Sequence, residues 1–330
     1  MKPPYEITSE ILKLISSISE KIGEVNAKYL IKTNSTLRKQ NRIKTIHSSL
    51  SIEGNTLTEE QITAILENKR VVGPEKDIIE VLNTLEVYNN INSLKPHIEK
   101  DFLKAHKQLI QKLIVNPGKF RNQSAGIVKG SKVTHIASPH ENVPFLMKDL
   151  FNYLNDNSEL GLIKSCVFHY EMEFIHPFVD GNGRMGRLWQ TLILMQEYPI
   201  FEFLTLETLI SKNQDNYYNA LSKSDKEGNS TKFIAYMLNI IDASLAELLE
   251  NVSKKLTEKD RIQLYLESNV NEFSRKDYMT YFKDISSATA SRDLKYAVEN
   301  GLIQKSGDKQ QQLTGKNNST YPSHIENPHY

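Results

Sequence analysis

The sequence of 330 residues has a single cysteine, Cys166, and no long apolar run. One cysteine cannot form an intramolecular disulfide or a thiolate metal site, which excludes disulfide-rich secreted domains and cysteine-based zinc proteins. No stretch approaches the roughly 20 apolar residues that a membrane-spanning helix needs, so no membrane partner is expected. The segment from Met1 to Lys13 has no continuous apolar core after its lysine. We therefore expect no secretory signal and a cytoplasmic protein.

The chain also lacks an excess of charge of either sign. Its 41 Lys and Arg residues are balanced by 40 Asp and Glu, which leaves a formal net charge of +1. A protein whose main activity is to neutralise phosphates along a duplex needs a large positive excess, so any nucleic-acid surface must be a local patch. The length predicts two or three domains of roughly 100–200 residues each.

Apolar residues recur at spacings of three and four over most of the first 250 residues, which predicts a mainly α-helical protein. Helices are predicted over Ile7 to Tyr29, over Thr58 to Glu67 with Thr56 or Thr58 as its cap, and over Phe102 to Ile114. Strand character is limited to the stretch from Ile127 to Ile136. That stretch predicts a short β-hairpin.

Residues 257–325 have a different pattern, which predicts three short helices and a two-stranded wing, as in a winged-helix domain. Ser274 begins the second helix by its Ser-x-x-Asp spacing, and Leu302 to Lys305 is a predicted strand. Arg292 and Lys295, with Ser291 nearby, lie on the predicted recognition helix. The local charge excess is small, so DNA binding and a protein-interaction or structural role both remain open.

The densest set of chemically active side chains lies between His176 and Arg187. Helical periodicity precedes and follows this segment, and Pro177 disfavours helical geometry at His176, so we predict a tight loop between two helices. Free N–H groups at the start of a helix, with glycines that permit close approach, are typical of an anion site. Arg184 and Arg187 add two permanent positive charges on one helical face.

Two further side chains complete the pattern of a phosphate-transfer site. Asp180 supplies a carboxylate oxygen of the kind that holds Mg²⁺ beside substrate phosphates. His176 has a side chain that suits proton transfer near neutral pH. Gly181, Gly183 and Gly186 also satisfy the dinucleotide fingerprint Gly-x-Gly-x-x-Gly. That fingerprint requires a preceding strand, and because a helix precedes it here, a Rossmann site is not favoured.

At these residues the sequence resembles the Fic family, whose signature is His-x-Phe-x-(Asp/Glu)-Gly-Asn-Gly-Arg-x-x-Arg. Every specified position is filled, by His176, Phe178, Asp180, Gly181, Asn182, Gly183, Arg184 and Arg187. The resemblance extends over roughly residues 1–250, including Gly118 to Arg121 and the hairpin that follows. It implies a helical Fic core with a β-hairpin flap. It also implies protein adenylylation, in which AMP moves from ATP to a Ser, Thr or Tyr hydroxyl of a target protein, or of the protein itself, and pyrophosphate is released.

The resemblance implies a role for each residue of the loop. His176 is the expected catalytic base, Asp180 the expected ligand of Mg²⁺ or Mn²⁺, and Phe178 the anchor of the loop in the core. The expected ATP- and phosphate-binding residues of the loop are Gly181, Asn182, Gly183, Arg184, Met185, Gly186 and, at the γ-phosphate, Arg187. Asn213 and Tyr218 lie in a stretch that is similar to the family's adenine-binding region. The adjacent tyrosines Tyr217 and Tyr218 are equally typical of a core.

A second motif precedes the loop in the sequence. Ser49, Glu53 and Gly54 match the family's inhibitory motif Ser/Thr-x-x-x-Glu-(Gly/Asn). The resemblance implies that Glu53 pairs with Arg187 and occupies the space that the γ-phosphate needs, because a carboxylate competes with a phosphate for the same guanidinium donors. The alternative is an acidic residue near a helix end with no such role.

Three regions are thus predicted: an N-terminal helical inhibitory region over residues 1–95, a Fic catalytic core over 96–250 and a winged-helix domain over 257–325. Expected partners are ATP, target proteins that add a strand to the flap, and DNA at the winged helix, and a homodimer is compatible with both domains. An ordinary hairpin is the alternative for the flap. Two other functions stay open: removal of AMP from modified proteins, with Glu53 aligning a water, and a DNA-binding regulator that uses the Fic core as a nucleotide sensor.

Overall fold

The computed structural model describes residues 2–29, 35–124, 126–129, 132–156, 158–253, 257–267, 272–282, 285–306 and 312–315. The chain divides into two compact units, Met1–Thr33 with Leu37–Val252 and Asn34–Thr36 with Ser253–Tyr330. Helices predominate among the described residues, which confirms the predicted mainly α-helical class. None of the helices in the described part of the chain is long and apolar enough to cross a membrane.

The larger unit is built from helices and one short hairpin. Its helices are α1 (Ser9–Tyr29), α2 (Ser35–Ile52), α3 (Glu59–Leu66), α4 (Glu75–Asn89), α5 (Glu99–Ile110), α6 (Val143–Leu154), α7 (Gly161–Ile175), α8 (Asn182–Glu197), α9 (Leu206–Lys212), α10 (Gln214–Glu227) and α11 (Thr231–Ser253). The predicted hairpin is present: β1 (Gly126–Lys129) pairs antiparallel with β2 (Lys132–Ile136), and the register shifts between Ile127 and Val128. Almost every residue of α7 and α8 is buried, so these two helices form the centre of the unit.

An aromatic cluster fixes the loop that joins α7 to α8. Phe102 of α5 packs against the rings of Phe168, Phe178 and Trp189, with centroid separations of 6.0, 5.3 and 5.0 Å. Phe178 and Trp189 are completely buried. The Trp189 indole N–H donates to the carbonyl of Pro96 at 2.8 Å. Because aromatic rings bury large apolar areas, Phe178 anchors the loop in the core.

Most of the predicted helices are present, and the differences have local causes. Thr58 caps α3 in a capping box with Gln61. The prediction that a helix continues to Ile114 was wrong: α5 ends at Ile110, and two residues later Lys112 has a φ of 64°, which no helix accommodates. The separate helix α2 was not predicted.

The smaller unit has its own elements and core. They are α12 (Glu258–Glu267), β3 (Glu272–Phe273), α13 (Arg275–Tyr281), α14 (Ser287–Glu299), β4 (Ile303–Ser306) and β5 (Gln312–Gly315). The strands form an antiparallel sheet in the order β3-β5-β4. The predicted cap Ser274 accepts an N–H bond at the start of α13, and Ser286 does the same at the start of α14. The wing was predicted with two strands, and the short β3 adds a third. The polar sequence from Pro322 to Tyr330 lies outside the described residues.

A buried acid stabilises the smaller unit. Asp293 of α14 is inaccessible to solvent and accepts two bonds from the Arg261 guanidinium, at 2.6 and 2.7 Å. The hydroxyl of Tyr278 donates to the same carboxylate at 3.1 Å. Asp293 therefore ties α12 and α13 to α14, and with Leu294 it occupies the inner side of that helix.

Candidate active site

His176 lies at the C-terminal end of α7, in a turn that the sequence imposes. Its N–H still donates to the carbonyl of Met172 at 3.0 Å, as in a helix, but its backbone is left-handed, with φ 52° and ψ 60°. Pro177 disfavours continuation of the helix, and a left-handed conformation is uncommon outside glycine. The chain therefore leaves α7 sharply at His176, whose side chain is half-buried.

The guanidinium of Arg121 holds this turn in place. Its Nε donates to the carbonyl of His176 at 2.7 Å, and its Nη2 donates to the carbonyls of Ile175, at 3.3 Å, and Ser138. Its Nη1 donates to the carbonyl of Gln123 at 2.8 Å. Gln123 precedes the hairpin and Ser138 follows it, so one buried side chain joins both ends of the hairpin to the turn at His176.

Helix α8 begins directly after Gly181, whose left-handed backbone conformation favours glycine. Gly181 has a φ of 84°, and a Cβ added there would lie 2.6 Å from Cδ1 of Ile110. Asn182 closes the loop: the Phe178 N–H donates to its Oδ1, and its Nδ2 donates to the Phe178 carbonyl, both at 2.9 Å. The Asn182 side chain is thus used within the loop. The backbone N–H groups of the first turn of α8 have no carbonyl partner inside the helix.

Two neighbouring residues hold Asp180, one through its side chain and the other through its backbone carbonyl. Its Oδ1 accepts the N–H of Gly181 at 2.6 Å, and its carbonyl accepts Nε2–H of His106 at 2.9 Å. The His106 ring stacks on Phe178 with centroids 3.6 Å apart, and its Nδ1 accepts the N–H of Gly118 at 2.9 Å. Burial lowers the pKa of His106 to about 4, so the ring stays neutral and keeps this pair of bonds at neutral pH.

Arg184 lies between two carboxylates. Its Nη1 donates to Oε1 of Glu80 at 3.2 Å, and its Nη2 donates to Oδ1 of Asp180 at 3.1 Å. Arg184 and Glu80 are 4% and 3% exposed, whereas the Asp180 side chain is 42% exposed. One partner of the guanidinium is therefore fixed in the interior, and the other is open to solvent.

Arg187 is paired with Glu53, which lies just beyond the end of α2. Its Nη2 donates to Oε1 of Glu53 at 2.8 Å and to the carbonyl of Ser49 at 2.9 Å, and its Nε donates to Oγ of Ser49 at 3.2 Å. Burial is the largest single influence on the pKa of Arg187 and lowers it, but the surrounding acidic groups, with Glu53 foremost among them, together outweigh burial and leave that pKa raised. Gly54 directly follows with a φ of 89°, which turns the chain away after the contact.

The Glu53 carboxylate lies directly over the start of α8. A Cβ added at Gly183 would come within 2.4 Å of Oε1 of Glu53 and 3.0 Å of Nη1 of Arg187. The carboxylate thus occupies the position at the helix N-terminus where an anion is favoured by the free N–H groups and the helix dipole.

This loop and the helices around it match a known fold over almost the whole chain. A crystal structure of a Fic family protein from Desulfovibrio desulfuricans G20 has a TM-score of 0.74 and 36% sequence identity, and the match covers 97% of this chain and 100% of that one. The chain belongs to the Fic family. The family model described as Fic/DOC matches residues 96–194, which include the whole loop.

The chain is also similar to two curated Fic proteins at lower identity. The match to Protein adenylyltransferase Fic of Drosophila mojavensis has 28% identity over 257 residues, and the match to Protein adenylyltransferase fic-1 of Caenorhabditis elegans has 30% over 213 residues. These matches cover 72% and 61% of this chain but 48% and 40% of the relatives. The chain therefore spans about half the length, or less, of the curated relatives it matches.

Two positions of the Fic loop contribute packing. The Met185 side chain is completely buried, and its N–H already donates to the carbonyl of Gly181 at 3.0 Å. A Cβ at Gly186 would lie 2.7 Å from Cδ2 of His169, so this glycine allows α7 and α8 to approach closely. Neither residue offers a free polar group at the start of α8, although both were predicted to bind phosphates.

The residues predicted to lie near the adenine separate into a buried and an exposed set. Tyr217 is 2% exposed, and its hydroxyl oxygen lies 2.9 Å from Nε2 of His169. Nδ1 of the same His169 ring lies 2.7 Å from Oε1 of Gln190. Tyr218 is 40% exposed and accepts a bond from Gln214 at 3.2 Å. Asn213, at the junction of α9 and α10, is exposed. Tyr217 is therefore a core residue, and Tyr218 and Asn213 are open to a ligand.

Three residues that position the Fic loop were not predicted from the sequence: His106, Arg121 and Glu80. Arg121 was noted only as the end of the segment from Gly118, and His106 only as part of a predicted helix. Glu80 had little local signal, because its contact with Arg184 joins residues 104 positions apart. The one hint in the sequence is that Glu80 is a charged residue between two apolar residues of a helix, Ile79 and Val81.

Proposed function

We propose that this Fic protein is an adenylyltransferase that moves AMP from ATP to a Ser, Thr or Tyr hydroxyl of target proteins and of itself. The observation that supports this most is the first turn of α8, where free backbone N–H groups lie beside the buried cations Arg184 and Arg187. His176 lies at the opposite end of the same short loop. The relatives named protein adenylyltransferases support the same reaction class.

In the proposed reaction His176 acts as the catalytic base. The hydroxyl oxygen of the target attacks the α-phosphorus of ATP, the bond from that phosphorus to the bridging oxygen breaks, and pyrophosphate leaves. His176 takes the hydroxyl proton as the new bond forms. The protein contributes mainly position and charge in this chemistry, which agrees with a loop held rigidly by Arg121, Asn182 and Phe178.

The phosphates of ATP would bind at the start of α8. The N–H groups of Asn182 and Gly183 would donate to them, and the Asn182 side chain would not, since it already pairs with Phe178. Arg184 would neutralise the phosphate charge nearest to Asp180. Arg187 would bind the γ-phosphate once Glu53 has left it. Asn213 and Tyr218 would contact the adenine.

Mg²⁺ or Mn²⁺ fits the donors at Asp180. The carboxylate is accessible, and among the described residues no set of three or more His, Cys, Asp or Glu side chains is arranged to hold a metal. A single carboxylate together with substrate phosphates and water is the usual setting for Mg²⁺. When bound, the ion would offset the negative charge of the phosphates at Asp180.

We also propose that Glu53 inhibits the enzyme by occupying the γ-phosphate position. The carboxylate uses an Arg187 N–H donor at 2.8 Å and covers Gly183. A phosphate cannot share that space with a second anion, because the two negative charges repel each other. Removal of the carboxylate leaves Arg187 free to bind nucleotide, so activity should rise.

The test compares the wild type with Glu53→Gly and with Glu53→Gly/His176→Ala. Each protein is incubated with α-labelled ATP, Mg²⁺ and a bacterial lysate. Glu60→Gly, which removes an exposed carboxylate of α3 that contacts no residue of the loop, is the matched control. We expect labelled protein to increase in Glu53→Gly, to disappear in the double variant and to stay at the wild-type level in the control.

Two results would reject parts of the proposal. Equal labelling by wild type and Glu53→Gly would remove the inhibitory role of Glu53. Absence of label in all samples, with loss of AMP from a previously adenylylated protein, would favour the reverse reaction, in which Glu53 aligns a water.

We also propose two further partners, a target segment at the hairpin and DNA at the smaller unit. The paired backbones of β1 and β2 form a short hairpin to which a target segment could add a strand. In the smaller unit, whose element order resembles a winged helix, Ser291, Arg292 and Lys295 are exposed on α14, as a DNA-binding helix requires. A homodimer and a cytoplasmic location stay predictions.

A further inference from the structure

The side chain of Glu80 connects two parts of the site that are far apart in the sequence. Glu80 lies in α4, which has no residue in the Fic signature, and it is 3% exposed. Its Oε1 accepts Nη1–H of Arg184 at 3.2 Å, and its Oε2 accepts Nδ2–H of Asn55 at 2.9 Å. A buried carboxylate is costly unless it is paired and hydrogen-bonded, and here each oxygen has a specific partner.

The contact with Arg184 fixes the direction of its guanidinium. A planar guanidinium held through Nη1 presents its remaining N–H groups in a set direction. Nη2 bonds Asp180, which is accessible and is the proposed metal ligand, so that contact changes when nucleotide and metal bind. Glu80 is the partner that remains. Lys76 lies 3.8 Å from the same oxygen with a largely exposed side chain, so it adds little to this pair.

The contact with Asn55 serves the inhibitory segment instead. Asn55 follows Gly54 directly, and its Nδ2 also donates to the carbonyl of Asp77 at 3.1 Å. The carboxylate of Asp77 accepts the N–H and the hydroxyl of Thr56 at 2.8 and 2.6 Å. The start of α4 therefore holds the chain just after Glu53. One oxygen of Glu80 thus contacts Arg184 in the loop, and the other contacts the segment that follows Glu53.

We propose that Glu80 is a positioning residue that orients Arg184 for binding the phosphates of ATP. This inference rests on the proposed function and adds a residue to the same site. It predicts that loss of the Glu80 charge weakens ATP binding even when Glu53 is absent. Loss of the Asn55 contact should not do so, because that contact reaches only the inhibitory segment.

The experiment measures the Kd of Mg-ATP by titration calorimetry in three proteins: Glu53→Gly, Glu53→Gly/Glu80→Gln and Glu53→Gly/Asn55→Ala. The melting temperature of each protein is measured in parallel. Glutamine keeps the size of Glu80 and removes its charge, and Asn55→Ala removes the other partner of the same carboxylate. We expect Kd to rise about tenfold with Glu80→Gln and to change less than twofold with Asn55→Ala, whatever the two melting temperatures are. If Glu80→Gln does not fold, Glu80→Asp, which keeps the charge but withdraws it, should still raise Kd more than Asn55→Ala does.

Each outcome decides a separate question. An equal rise in Kd for the Glu80 and Asn55 variants would mean that Glu80 only supports the local structure, and it would overturn the proposal. An unchanged Kd for the Glu80 variant would overturn it as well, while the proposed function would stand. If Glu53→Gly itself does not bind Mg-ATP, the proposed function fails, and the role of Glu80 fails with it.

Discussion

Replacement of Gly183 with alanine should destabilise the wild-type protein but stabilise the Glu53→Gly variant. The new Cβ would lie 2.4 Å from Oε1 of Glu53, which is far inside van der Waals contact, so the carboxylate must leave Arg187. With glycine at position 53 that obstacle is absent. Of the three atoms nearest to that Cβ, the one that remains is Nη1 of Arg187, at 3.0 Å, which lies at the end of a flexible side chain that can move by a small amount.

The expected free energies follow from the surroundings of the pair. A hydrogen bond to a charged group contributes about 1.5–3 kcal/mol, and since the Glu53 side chain is 29% exposed we expect a loss of about 1.5 kcal/mol. Alanine is more favourable than glycine inside a helix by about 0.5–1 kcal/mol. Because Gly183 is the second residue of α8, we take about 0.5 kcal/mol. The wild type should therefore lose about 1 kcal/mol, and the Glu53→Gly variant should gain about 0.5 kcal/mol.

Urea unfolding of the four proteins in this cycle provides the test. Trp189 is the single tryptophan of the chain and is buried in the core of the larger unit, so its fluorescence reports the unfolding of that unit. The reasoning is refuted if Gly183→Ala changes the free energy of unfolding equally in both backgrounds, within about 0.5 kcal/mol, because independent sites are additive at that level.

Three further predictions concern the buried side chains of His106 and Tyr217 and the partly exposed side chain of Tyr218. Burial lowers the pKa of His106 to about 4, below its ordinary value of 6.5, so the unfolded chain takes up this proton first and the free energy of unfolding should fall between pH 6.5 and pH 4. In urea unfolding at several pH values, His106→Gln should reduce the slope of the free energy of unfolding against pH in this range by the equivalent of about one proton. An unchanged slope would contradict the assignment. Tyr217→Phe removes a hydrogen bond to His169 and should cost about 1 kcal/mol of stability with little effect on ATP affinity. Tyr218→Ala should weaken ATP binding and leave stability nearly unchanged, as calorimetry and thermal melting can show.

The sequence predicts the loop well because the loop is local. Pro177 marks the end of α7, the glycines mark the start of α8, and Arg184 and Arg187 fall on one helical turn, so spacing alone indicates an anion site between two helices. Phe178 was expected to anchor the loop and is completely buried. The ion pair of Glu53 with Arg187 could be expected only from the family resemblance, because 134 residues separate its members.

The residues that hold the loop from other elements could not be predicted in the same way. Arg121, His106 and Glu80 reach the loop from positions 55, 74 and 104 residues away, and periodicity places each of them only on a helix or near a turn. The end of α5 is a similar case. Apolar residues continue past Ile110 at helical spacing, so the sequence predicts a longer helix. The helix ends earlier because Lys112 has a positive φ, and the spacing of apolar side chains gives no information about that angle.

The guanidinium of Arg121 has a consequence for how such a protein can change its targets. Among the described residues its hydrogen bonds go to carbonyl oxygens, at Gln123, Ser138, Ile175 and His176, and such bonds to the backbone do not depend on which side chains these segments bear. In the proposed docking mode, residues of the hairpin between Gln123 and Ser138 can be exchanged while the spacing between a docked strand and His176 is preserved. Under that proposal, the side chains that recognise a target can vary while the Arg121 guanidinium keeps the backbone of the hairpin ends and of the turn at His176 in the same arrangement.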